Sequence, residues 1–179
     1  MQINIENPDY PACVDQDALI SVVSQLAGMA QRDSGCEVSW SEVSIYLMDD
    51  DSIAPVHSAV QGIEGSTDVI TQRYEPVPGE PEGLTGEIFV NLQCACREGI
   101  RRQESGGRSQ ESGGRSQEEE NQWSVDKDLA LYIAHGCDHL TDAEDESDEG
   151  FQAMRERELA WLDELRLTPL VIKPIINRN

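Results

Sequence analysis

The chain has 179 residues, enough for one domain with a buried core. Its 13 Lys and Arg face 35 Asp and Glu, a formal net charge of −22. That balance opposes general attraction to nucleic acid and argues against DNA as a partner; a nucleic-acid ligand needs a local basic patch, for which the only candidate is Arg97, Arg101, Arg102, Arg108 and Arg115.

No stretch approaches the ~20 apolar residues of a membrane span, and none is expected. The N-terminus lacks the charged and apolar regions of a signal peptide, so the expected location is the cytoplasm, with the five cysteines reduced.

Ile3 and Ile5 alternate with polar neighbours over residues 2–6 and predict a short strand. Asp15 stands where a helix N-cap belongs. Leu19, Ile20, Val22, Val23, Leu26 and Met29 follow at helical spacing, and Asp33-Ser34-Gly35 ends the run. Val43, Ile45 and Leu47 alternate in a second strand over 43–48. Asp49-Asp50-Asp51-Ser52 starts a helix reaching Val60. A third strand is predicted over 67–74 and a fourth over 87–92, with the proline-rich stretch 75–83 as a surface loop between them.

Cys94 and Cys96 read as small buried apolar residues rather than ligands. Within 97–117, Gln-Glu-Ser-Gly-Gly-Arg-Ser at 103–109 recurs at 110–116; with no apolar residue to bury, this predicts disorder, and 103–117 reads as an insertion. A helix is predicted over 125–140. A last one over 147–165 should turn Phe151, Met154, Leu159 and Leu162 inward, ahead of an extended tail over 167–179. Trp40, Trp123 and Trp161 read as packing anchors. The expected fold is α+β: one domain over 1–179, a small mixed sheet of about four strands packed with about five helices.

The chemistry centres on His135-Gly136-Cys137-Asp138-His139. Two histidines four apart share one helix face, and their nitrogens can reach one ion at about 2.0–2.1 Å. A carboxylate six residues on, Asp145, closes a three-ligand set that leaves a position for water, and zinc accepts that mixture of nitrogen and oxygen. Glu144 and Asp142 are alternative third donors, and the competing reading of the pair is two satisfied buried histidines. Asp138 is a candidate general base or, alternatively, a partner fixing a histidine tautomer. Gly136 occupies the place of the glutamate base of His-Glu-x-x-His peptidases, which argues against a metallopeptidase; it should also open room above the metal. Thr67 and Asp68 are candidate substrate contacts, with backbone bonding at a strand edge as the alternative. Glu87 reads as a sheet-face carboxylate.

In order along the chain, Ser66-Thr67-Asp68-Val69-Ile70, Gly86-Glu87-Ile88 and His135-Gly136-x-x-His139 resemble the YbeY family, bacterial single-strand-specific endoribonucleases and ribosomal RNA maturation factors. The resemblance runs from Ile3 to about Glu164. The family fingerprint His-Gly-x-Leu-His-Leu-x-Gly-Tyr-Asp-His falls on residues 135–145, with Asp145 where the family has its third histidine ligand. The resemblance implies one Zn2+ on His135, His139 and Asp145, and single-stranded or ribosomal RNA as substrate, with the small ribosomal subunit as a partner. It also places Gln61 where the family carries an arginine facing the RNA. That change favours the alternative of a non-catalytic ribosome-assembly factor retaining the metal.

Overall fold

The computed structural model describes residues 1–6, 13–35, 39–74, 83–106, 117–141, 143, 147–165 and 169–172. The alternating segments form β1 (Gln2–Glu6), β2 (Trp40–Met48), β3 (Val69–Tyr74) and β4 (Leu84–Asn91). They lie side by side in the order β1-β2-β4-β3. β1 and β4 run parallel to β2, and β3 runs antiparallel to β4. Val43, Ile45 and Leu47 of β2 and Leu84, Ile88 and Val90 of β4 are buried on one face, as a period of two requires. On the other face Glu87 accepts hydrogen bonds from the hydroxyls of Tyr46 (3.1 Å) and Tyr74 (2.7 Å).

The helices are α1 (Gln16–Ser34), α2 (Asp50–Gln61), α3 (Leu92–Gly106), α4 (Gln117–His139) and α5 (Asp148–Glu164), so the expected α+β class holds. Among the described residues no helix is long and apolar enough to cross a membrane. Asp15 caps α1 by accepting from the Ala18 amide, and Gly35 closes it at φ 67. A parallel pair needs a crossover, and α1 supplies the one between β1 and β2.

α4 is the centre of the fold. Leu129, Ala130, Ile133, Ala134 and Cys137 are buried, and the helix packs against α1, α3, α5 and the sheet. Two glycines permit this. A Cβ at Gly99 of α3 would lie 2.7 Å from Val125 Cα, and one at Gly136 would lie 2.6 Å from Ile88 Cγ2. Gly136 is therefore a helix-to-sheet contact, not the open space expected above a metal. The chain after α5 returns to α4, where Asp126 Oδ1 accepts from the amides of Leu170 (3.1 Å) and Val171 (2.8 Å). Val14 bridges Val171 there.

The structure corrects several expectations. Residues 97–106 are helical rather than disordered. Asn91, wholly buried, caps α3 by accepting from the Cys94 amide at 2.9 Å, and Leu92, Ala95 and Cys96 anchor its first turns in the core. The rest of the repeat, 107–116, lies outside the described residues. α4 begins at Gln117, ahead of the expected Val125, and β4 begins at Leu84 rather than Glu87. On α5, Met154 and Leu162 are buried, but Phe151 (45%) and Leu159 (40%) are exposed. Its inner face is Met154, Glu158, Trp161 and Leu165, a stripe containing a glutamate that hydrophobicity alone assigns to the surface. Trp40 and Trp161 are buried, as packing anchors should be, whereas the Trp123 side chain lies outside the described residues. Of the tail, 173–179 also lies outside them.

Candidate metal centre

The last turn of α4 presents His135 and His139 side by side. Their rings meet edge-on at 76°, with the two Nε2 atoms 3.1 Å apart. Each Nδ1 faces an oxygen that can only accept. His135 Nδ1 donates to Glu158 Oε1 at 2.6 Å, and His139 Nδ1 donates to the Ala143 carbonyl at 3.0 Å. A neutral ring protonated on Nδ1 carries a bare lone pair on Nε2. With both rings neutral in this form, the two Nε2 atoms face each other at 3.1 Å, an arrangement that either a shared proton or a metal ion satisfies. Two nitrogens held about 2.0–2.1 Å from one tetrahedral ion lie about 3.3–3.4 Å from each other. The spacing and tautomers of this pair therefore fit a divalent ion. Among the described residues no third His, Cys, Asp or Glu completes the set. Asp145, Glu144 and Asp142, the expected third donors, lie outside the described residues.

Glu158 is the site residue that the sequence did not reveal. Its side chain is 1% exposed and reaches His135 from α5. Its second oxygen, Oε2, lies 3.2 Å from Arg155 Nη1, close enough for an ion pair but too poorly angled for a hydrogen bond. Carboxylate support of this kind fixes the tautomer and orientation of a ligating imidazole.

Asp138 is placed differently from either sequence reading. It is buried, and both of its oxygens accept from Arg157, at 2.7 Å from Nη2 and at 3.0 and 3.2 Å from Nε. Burial pushes its carboxyl above the ordinary value while Arg157 pulls it back. With both oxygens engaged it is not set up as a general base, and the support of His135 comes from Glu158. Cys137 is buried between the histidines in sequence, and burial pushes its thiol up to about 12, which keeps it protonated.

One helical turn before the pair, Tyr132 lines a cleft of about 330 Å³. Thr67 and Asp68, ahead of β3, form one wall, Arg97 and Arg102 of α3 another, and Arg155 of α5 closes it. Asn91 holds the first wall: its side-chain amide donates to the Thr67 carbonyl (2.9 Å) and to Asp50 (2.8 Å), and its own N–H donates to the Asp68 carbonyl (2.8 Å). Gln61 stands elsewhere, exposed at the end of α2, with Oε1 3.1 Å from Nε2 of His57. His57, the third histidine, is buried, and its Nδ1 donates to the Gly65 carbonyl at 2.9 Å. The structure thus brings His135, His139 and Glu158 together, sets Thr67 and Asp68 in a cleft beside them, and leaves Gln61 outside its lining.

The sequence model of the family described as Endoribonuclease YbeY matches residues 4–111, which covers the end of β1 and all of β2, β3 and β4 and stops before α4. Individual relatives align further. A protein of Pelotomaculum thermopropionicum is 26% identical over 172 residues, covering 94% of this chain and 99% of its own. One of Desulforamulus reducens is 25% identical, covering 92% and 97%, and one of Moorella thermoacetica is 26% identical, covering 89% and 93%. All three are named Endoribonuclease YbeY. With the family model matched over residues 4–111 and relatives aligned over as much as 94% of its length, the chain belongs to the YbeY family.

Proposed function

We propose that this protein is a metal-dependent endoribonuclease that cuts single-stranded RNA during ribosomal RNA maturation, in the cytoplasm and with the small ribosomal subunit as a partner. The proposed ligands are His135, His139 and Asp145, and the proposed ion is zinc. The observation that carries this reading is the 3.1 Å approach of two Nε2 atoms whose Nδ1 protons are both committed to oxygen acceptors. The relatives' name supplies the reaction class. A bound divalent ion polarises a phosphoryl oxygen and lowers the pKa of its water toward ~7. This chain's own residues supply orientation: Glu158 fixes His135, and the Ala143 carbonyl fixes His139.

A peptidase is disfavoured because the base position is Gly136, packed onto Ile88. A non-catalytic assembly factor is the second reading, and Gln61, paired with His57 and outside the cleft lining, is the observation that favours it.

Zinc-loaded protein incubated with single-stranded and duplex RNA tests both readings. Expected is zinc-dependent cleavage of the single strand, weak and salt-sensitive, lost at least about 100-fold in His139→Ala and improved by Gln61→Arg. Stoichiometric zinc without cleavage, unrescued by Gln61→Arg, selects the assembly factor. Absence of zinc binding after reconstitution overturns the metal site altogether.

A further inference from the structure

α5 grips the last turn of α4 at two points. Glu158 holds His135, and its neighbour Arg157 holds Asp138, the residue before His139. We infer that Arg157 and Asp138 are a positioning pair for His139, acting through the chain that follows α4. The inference rests on His135 and His139 being metal ligands and deepens that reading.

The first argument is the quality of the pair. Asp138 is 2% exposed. Arg157 Nη2 lies 2.7 Å from its Oδ2, and Nε lies 3.0 Å from Oδ2 and 3.2 Å from Oδ1. A guanidinium on a carboxylate fixes direction as well as distance. Arg157 is steadied from behind: its guanidinium carbon lies 5.9 Å from the centre of the Trp161 ring, and the Trp161 indole N–H is anchored on Asp33.

The second is the presence of charge at all. The YbeY fingerprint laid on residues 135–145 has leucine where Asp138 stands. Leucine fills space without direction. A buried ion pair adds little stability over well-packed apolar residues, because desolvation offsets its attraction. What it adds is geometry, setting how far along α5, and at what rotation, the end of α4 comes to rest.

Connection is the third argument. The Asp138 carbonyl, next to that fixed side chain, accepts from the Thr141 hydroxyl (2.8 Å), the Thr141 amide (3.0 Å) and, more weakly, the Ala143 amide (3.4 Å). These bonds hold Thr141 and Ala143 against the end of the helix. The Ala143 carbonyl then accepts from His139 Nδ1 at 3.0 Å. Arg157 thereby reaches His139 in steps, as Glu158 reaches His135 directly.

The test is NMR of zinc-loaded protein carrying 15N-labelled histidine, with zinc affinity measured by chelator competition and folding by thermal melting. The wild type should show a slowly exchanging Nδ1 proton on each ligand. Arg157→Met removes the guanidinium. It should speed exchange of the His139 Nδ1 proton at least about 10-fold and weaken zinc about 10-fold, while the His135 proton, held by Glu158, exchanges as before. Arg157→Lys keeps the charge without the planar fork and should recover only part of the loss. Thr141→Val, which breaks the hydroxyl link alone, should affect His139 in the same sense but less. Asp138→Leu combined with Arg157→Leu leaves no unpaired charge. It should melt within a few degrees of wild type or above it, and still show the fast His139 proton and the weakened zinc.

Wild-type exchange and zinc affinity in the double variant overturn the positioning role, since the pair is then only packing. So does a joint acceleration of the His135 and His139 protons, the mark of general loosening. Either result leaves the metal reading standing. A wild type that takes up no zinc overturns the metal reading and the positioning role together.

Discussion

Glu158 Oε1 lies 2.6 Å from His135 Nδ1, across the contact between α5 and α4 and from a side chain that is 1% exposed. A buried carboxylate so placed raises the basicity of the imidazole and fixes which nitrogen is bare. Glu158→Gln should keep the shape and lose the charge. Zinc affinity should fall about 10–100-fold, measured by competition with a chelator of known affinity. Unchanged affinity would show that Glu158 is only a core residue.

The proposed ligand set makes a second prediction. His135→Ala and His139→Ala should abolish stoichiometric zinc, Asp145→Ala should weaken it strongly, and Asp145→His should retain it, all read by elemental analysis. A carboxylate in place of imidazole hardens the set and adds negative charge, so discrimination against manganese should weaken and the bound water should be less acidic than in a three-histidine site. Full occupancy in Asp145→Ala, with loss in Glu144→Ala or Asp142→Ala, would move the third ligand to one of those acids.

Gly136 sits among the ligands yet belongs to the packing. Adding a Cβ there puts it 2.6 Å from Ile88 Cγ2, in a buried contact with little room to shift. Gly136→Ala should destabilise by about 1–3 kcal/mol. Gly99→Ala should cost more, because the Cβ would meet Val125 backbone atoms at 2.7 and 2.8 Å rather than a side chain. Thermal denaturation of both variants decides this, and a melting temperature unchanged in either would refute the close approach.

Acid should loosen the α1–α5 contact in a definite range. Asp33 pairs with Arg32, accepts from Trp161 Nε1 at 2.7 Å, and is lowered from 3.8 to about 2 by those partners in that order. A depressed carboxylate stabilises the fold above its unfolded value and loses that contribution as pH falls through the folded one. Asp33→Asn should therefore lower the melting temperature near neutral pH, and the gap from wild type should close on approaching pH 2. Since Asp33 is 31% exposed, solvent screening limits the effect to about 1 kcal/mol or less. A gap that widens toward acid would contradict the sign.

What could be read in advance was what is local. Asp15 as a cap, the alternation of β2, and two histidines one turn apart each depend on neighbours within a few residues. α3 was missed because its cap, Asn91, doubles as the end of β4, and its apolar residues crowd into the first turns before a polar repeat. Glu158 was missed because a glutamate on an amphipathic helix reads as surface, and its partner lies 23 residues away. Arg97 and Arg155 reveal a common cleft only once α3 and α5 flank α4. Gly136 was read as space when it marks contact, since its neighbour Ile88 lies on another element.

Asp126 gives the assembly of this molecule a direction in time. Its carboxylate is 2% exposed within α4 and accepts from the amides of Leu170 and Val171. Synthesis delivers those two amides long after the helix that waits for them. While they remain in the exit tunnel, docking α4 would strand a charge without these donors, at a cost of several kcal/mol. The returning segment and the histidine-bearing helix therefore hold each other in place, and a change at residues 170–171 is felt at the site although neither residue touches it.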